Sequence, residues 1–172
     1  MDLERKNVSD DRNYVETLSD ALALKLGHAI WNFARIELMA YEYIKILASD
    51  DILSLVGDQS FASRIGILKK LAVKSEVEAQ LVETATKLLD KAMQLAGRRN
   101  TIAHNPWQIY IDFEKHDFVS EIWKHTNPTS RLSESDISQF SRDAAETADQ
   151  LRSALNALTS GSNRSRVKPA SV

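Results

Sequence analysis

The sequence predicts an all-α fold: a bundle of four to five helices with a small β-hairpin inserted around residues 107–125. Three observations carry this expectation. Proline and glycine are scarce, 3 and 5 in 172 residues, so little punctuates a helix. Apolar residues recur at steps of three and four in four separate segments, which puts them on one face of a helix with 3.6 residues per turn. One segment near residue 110 alternates with period two instead, as a strand does. The apolar share of 43% lies just under the roughly 45–50% usual for globular chains, so a buried core is expected. The length fits one domain.

The elements follow in order along the chain. Residues 1–13, MDLERKNVSDDRN, are polar and are expected to be flexible. From about Glu16 to Ser49 the residues Leu22, Leu26, Ala29, Phe33, Ile36, Ala40 and Ile44 form one stripe. They predict a long amphipathic helix with Gly27 as the place for a kink. Ser49, Asp50 and Asp51 interrupt the stripe, and Gly57-Asp58 reads as a turn. A second helix carries Phe61, Ile65, Leu68 and Ala72, with Ser60 or Asp58 as its cap. A third begins near Ser75-Glu76, runs through Val77, Leu81, Ala85, Leu88, Ala92 and Leu95, and stops at about His104. Pro106 sets that stop, because the residue before a proline disfavours the α conformation.

In WQIYIDF, Ile109, Ile111 and Phe113 alternate with polar neighbours and predict a strand. The run EKHD then turns the chain into FVSEIWKH, closing a hairpin, and TNPTS reads as loop. Ser133 and Asp136 form a capping box, with Asp in place of the usual Glu or Gln. The helix behind it carries Ile137, Phe140, Ala144, Ala148, Leu151, Leu155 and Leu158. The helical domain is therefore expected over residues 14–159, with residues 160–172 a disordered basic tail.

Composition excludes several functions. No cysteine is present, so a disulfide framework, a thiolate metal site and a cysteine nucleophile are ruled out. No run approaches the ~18 apolar residues of a membrane span, and no secretory signal stands at the N-terminus. The expected setting is the cytoplasm. With 24 acidic and 22 basic residues, the chain lacks the broad basic footprint of many nucleic-acid-binding proteins, which leaves room only for a local site. The four histidines, His28, His104, His116 and His125, have no metal-ligand spacing. Trp31, Trp107 and Trp123 read as core or interface anchors, with base stacking the alternative.

One stretch carries chemistry: Gly97-Arg98-Arg99-Asn100-Thr101-Ile102-Ala103-His104-Asn105-Pro106-Trp107. Asn100 and His104 are four apart and share a helix face. Arg99 lies roughly 140° around the helix from His104, on a side chain long enough to swing. Arginine gives a fixed charge and a planar fork suited to phosphate, and imidazole is the side chain whose ordinary titration range suits acid–base work. The sequence RNTIAH at 99–104 resembles the R-x4-H motif of the HEPN superfamily, in its form with Asn after Arg. HEPN domains are helical bundles in which this motif closes a long helix. An acidic residue on the first helix often faces it, and Glu37, on the otherwise apolar Phe33–Ile36–Ala40 stripe, matches that position.

The resemblance implies a metal-independent endoribonuclease without a cofactor, acting on RNA as a homodimer in which two motifs meet. It implies a toxin or antiphage effector with an antitoxin or defence-system partner protein. It implies His104 as the acid–base residue and Arg99 as the residue on the scissile phosphate. Asn100 would orient the phosphate or His104, Glu37 would hold Arg99 or His104, and Arg98 would support them or serve as a surface arginine. One toxin subgroup extends the motif to R-x4-H-x-Y, and here Pro106 stands where that modified tyrosine would be. The resemblance equally implies an alternative, since other HEPN domains are non-catalytic modules that bind nucleotide or protein.

Overall fold

In the computed structural model the described residues are 8–48, 50–114, 117–124, 126–127 and 129–166. The expectations for residues 1–7, His116, His125 and the end of the tail lie outside them. Helix α1 (Val8–Leu47) is 40 residues long and continuous through Gly27, about 60 Å at 1.5 Å per residue. It begins inside the segment expected to be flexible. Helix α2 (Asp50–Val56) follows, where only an interruption was expected. At 7 residues it is less than two turns, too short for periodicity to register. Helix α3 (Phe61–Lys74) starts at the Ser60 cap, whose hydroxyl accepts from the Ser63 amide at 3.2 Å. Helix α4 (Ala79–His104) ends at His104, and Asn105 is already extended at φ −121° and ψ 144°, as a residue before proline must be.

Strands β1 (Trp107–Asp112), β2 (Asp117–Trp123) and β3 (Arg131–Ser133) form an antiparallel sheet in that order. The register pairs Trp107 with Ile122, Ile111 with Phe118, and Ile122 with Leu132. The hairpin is as expected. The third strand, 3 residues long, follows the expected TNPTS loop directly, where no strand was expected. Helix α5 (Glu134–Arg166) starts on the capping box. Asp136 N–H donates to Ser133 Oγ at 3.2 Å, and Ser133 N–H donates to Asp136 Oδ2 at 2.8 Å. It then corrects the expected tail: the helix continues through Gly161 to Arg166. A Cβ built on Gly161 would meet Val77 Cγ1 at 3.0 Å and Leu81 Cδ1 at 3.9 Å. The last turns thus lie against the start of α4 through a residue with no side chain, a contact that composition does not register.

The long helices set the architecture. Lys25 pairs with Glu134, Asn32 Nδ2 donates to Ser141 Oγ at 3.0 Å, and Tyr43 Oη donates to the Arg152 carbonyl at 3.4 Å. Each pair is separated by 109 residues, so α1 and α5 run parallel. Helix α4 runs the other way, with Val77 beside Gly161 and Arg98 beside Asp136 and Asp143. Parallel neighbours cannot be joined by a short turn, and α2, α3, α4 and the sheet make up the return path. The core fills the space between these helices. Phe33 stacks on Phe140 at 6.3 Å and meets the edge of Phe61 at 5.3 Å. Ile36, Met39, Ile65, Leu68, Leu89, Leu151 and Leu155 are fully buried around them, and Ile122 ties the sheet to the same core. No described helix is long and apolar enough to cross a membrane.

Candidate functional site

The antiparallel run of α4 beside α1 brings the last turns of α4 to the middle of α1, so two residues 62 positions apart become neighbours. Arg99 Nη2 lies 3.7 Å from Glu37 Oε1, with both side chains about three-quarters buried. Arg99 Nη1 donates to Asn100 Oδ1 at 3.3 Å. The guanidinium carbon sits 5.8 Å from the centre of the Phe33 ring, within cation–π range. Phe33 therefore serves both the core and the site. Its place on the apolar stripe reads only as core, so sequence reasoning missed the second role.

Arg99 is held but not saturated. Its ion pair is longer than a hydrogen bond, and its Nε is buried with no partner among the described residues. Trp107 Nε1, three residues past His104, is in the same condition. Unpaired buried donors are uncommon and cost about 1–3 kcal/mol each. Because Asn100 accepts from Arg99 through Oδ1, its amide nitrogen remains a donor toward solvent. Asn100 and His104 are both exposed, one turn apart on one face of α4. Among the described residues His104 has no hydrogen-bond or ion-pair partner.

Arg98 goes elsewhere. It points to α5, where Nη1 pairs with Asp143 Oδ2 at 3.2 Å and Nη2 donates to the Asp136 carbonyl at 3.0 Å. Its guanidinium carbon lies 5.6 Å from the centre of the Phe140 ring. It clamps α4 to α5 and does not join Arg99. The structure thus gathers Glu37, Arg99 and Asn100, leaves His104 open beside them, and separates Arg98.

The outer face of the sheet holds a second polar group. Glu121 Oε2 accepts from Tyr110 Oη at 3.1 Å, from Trp123 Nε1 at 3.1 Å and from Arg131 Nη1 at 3.2 Å. Arg131 lies over Trp123, 4.4 Å from the ring centre. Burial, and then the bond to Glu121, push the Tyr110 phenol above its usual range. Trp123 is thereby an internal anchor of the sheet, Trp107 packs partly buried against the core, and Trp31 is 71% exposed.

The arrangement offers a guanidinium fork steadied by a carboxylate and a ring, an outward amide donor, and an open imidazole at the end of the same helix. Those groups suit binding of a phosphodiester and proton transfer beside it. Compared with protein-family models, with curated proteins and with solved structures, the chain matches none.

Proposed function

We propose that this chain is a metal-independent endoribonuclease of HEPN type, acting in the cytoplasm as a homodimer on RNA. The observation that supports it best is the cluster at the end of α4: Glu37, Arg99 and Asn100 in contact, with exposed His104 one turn on. A ribose 2′-hydroxyl attacks the adjacent phosphorus, the bond to the 5′-oxygen breaks, and a 2′,3′-cyclic phosphate and a 5′-hydroxyl result. His104 takes the proton from the 2′-hydroxyl or returns one to the departing oxygen, and the motif of the second copy supplies the complementary transfer. Arg99 holds the phosphate and stabilises the charge that builds on it. Asn100 orients the phosphate, and Glu37 positions Arg99. The resemblance adds a cellular role, that of a toxin or antiphage effector with a partner protein.

The test is end-group chemistry on a single-stranded RNA cut in the presence of a chelator. Cyclic phosphate and 5′-hydroxyl ends are expected, with no cut where a single 2′-deoxynucleotide replaces the scissile ribose. Arg99→Ala is expected to lower the rate by about 10²–10³, the usual cost of one oxyanion-stabilising donor. Products with 5′-phosphate ends would overturn the mechanism.

A second reading has its own observation. Arg99 of the motif and the neighbouring Arg98 already face carboxylates, Glu37 and Asp143, in a chain of net charge −2. A non-catalytic module that binds a nucleotide or a protein needs no more than this. It predicts no cleavage by the wild type, and loss of ligand binding in Arg99→Ala.

A further inference from the structure

Charge is not spread evenly over the helices. Helix α3 carries Arg64, Lys69, Lys70 and Lys74 and no acid, in a chain of net charge −2. Helix α4 also holds more cations than acids, whereas α1, α2 and α5 each hold more acids than cations. Two of the α3 cations are already engaged. Arg64 donates to the carbonyls of Gly57 and Gln59, and Lys69 pairs with Asp90 of α4. Lys70 and Lys74 are exposed one turn apart. Among the described residues neither has a hydrogen-bond or ion-pair partner. Together with Lys69, Ile67, Leu71 and Val73 they line a groove of about 420 Å³.

The start of this helix adjoins the site at the end of α4. Phe61, its first residue, and Arg99 both reach the Phe33 ring, at 5.3 Å and 5.8 Å. From there α3 and α4 run antiparallel, and they meet again where Lys69 pairs with Asp90. Asp90, Gly97 and His104 are seven apart and form one row along α4. The row that carries the open imidazole therefore leads to the lysines. A Cβ on Gly97 would meet nothing within 4 Å, which leaves the row clear midway. Asp90 lies about 21 Å along the helix from His104, a span that a stacked strand at about 3.4 Å per nucleotide covers in about six nucleotides. We infer, resting on the ribonuclease reading for the kind of strand, that the Lys70–Lys74 face of α3 holds the phosphate backbone of single-stranded RNA whose scissile link sits at the end of α4. Two ammonium groups attract phosphates without reading bases, so the track is indifferent to sequence. An acidic peptide would suit the same cations, but the continuity with His104 and Arg99 favours a strand that reaches the site.

The test is fluorescence anisotropy of a labelled single-stranded RNA of about twelve nucleotides, within the usual span of a single-strand site. The full chain carries His104→Ala throughout, so that the strand stays whole. Adding Lys70→Ala and Lys74→Ala is expected to raise Kd about tenfold at low salt. It is also expected to make the slope of log K against log salt shallower by about 1.4, the share of two phosphate contacts on a single strand. Both lysines are exposed, so helicity is expected to be unchanged. Arg142→Ala with Arg152→Ala, two exposed arginines of α5, removes the same charge and is expected to leave Kd and slope as they were. With His104 restored, the lysine pair is expected to raise KM for the same RNA and spare kcat. Unchanged affinity and slope in the lysine variant, or an equal loss in the arginine variant, would overturn the proposal. So would poly-glutamate of similar length binding through the two lysines more tightly than RNA, which would assign the face to an acidic protein. Failure of the ribonuclease reading would appear separately, as lysine-dependent RNA binding by a wild type that cuts nothing.

Discussion

At the scale of the residue, two adjacent arginines have been sent in different directions. Arg99 meets Glu37 and Phe33 of α1, while Arg98 meets Asp143 and the Asp136 carbonyl of α5. Each pair keeps about a quarter to a third of its surface in water, so screening limits either to roughly 1 kcal/mol of stability. Their consequences for activity separate. Glu37→Gln is expected to lower cleavage more than tenfold, because Arg99 loses the group that aims it. Asp143→Asn is expected to cost similar stability and leave cleavage unchanged. Denaturant unfolding and initial cleavage rates on both variants check this. The spacing of Arg99, Asn100 and His104 was legible because it is local. Glu37, distant in sequence, was legible as one charge on an apolar stripe. That Arg98 belongs to α5 was not, since adjacent helical residues differ only in direction and the neighbours they meet are set by tertiary packing.

At the scale of the element, the best-determined boundary is the start of α5. Ser133 and Asp136 satisfy each other reciprocally, and the bonds from Ser133 hold the Asp136 carboxyl below its ordinary range. Ser133→Ala is therefore expected to destabilise by about 1 kcal/mol. The pH dependence follows from the sign of the shift. A depressed folded-state value means the contribution of Asp136 is complete above the unfolded value near 3.8 and fades as acid protonates the folded carboxylate. Chemical denaturation of wild type and Asp136→Asn is expected to show a gap at pH 6 that narrows steadily below pH 4. The reverse substitution logic applies to Gly97 on α4, where a Cβ would meet nothing within 4 Å. Gly97→Ala is expected to raise stability by about 0.5–1 kcal/mol, read as a higher melting temperature. Capping box and stripe made the long helices legible. Helix α2 and strand β3 were too short to show a period, and the far end of α5 docks through Gly161, where there is no side chain to count.

At the scale of the whole molecule, the fold is two parallel helices, α1 and α5, with α4 antiparallel beside them. The stacked Phe33 and Phe140 rings lie at their meeting point. Phe140 is fully buried, and Phe140→Ala is expected to cost about 3–5 kcal/mol, enough to disturb the clamp of Arg98 above it. This packing explains how a motif at the end of one helix acquires a carboxylate from the middle of another. The periodicity announces the helices, but the parallel pairing of first and last becomes visible only in the bonds between them. The central claim is that the end of α4 cuts RNA. Its most direct measurement is cleavage of single-stranded RNA in a chelator by purified wild type beside His104→Ala. The exposed position of His104 lets the substitution leave helicity and mass unchanged. Cleavage by the wild type alone is the predicted result, whereas equal cleavage by both, or RNA binding without cleavage by either, would contradict it.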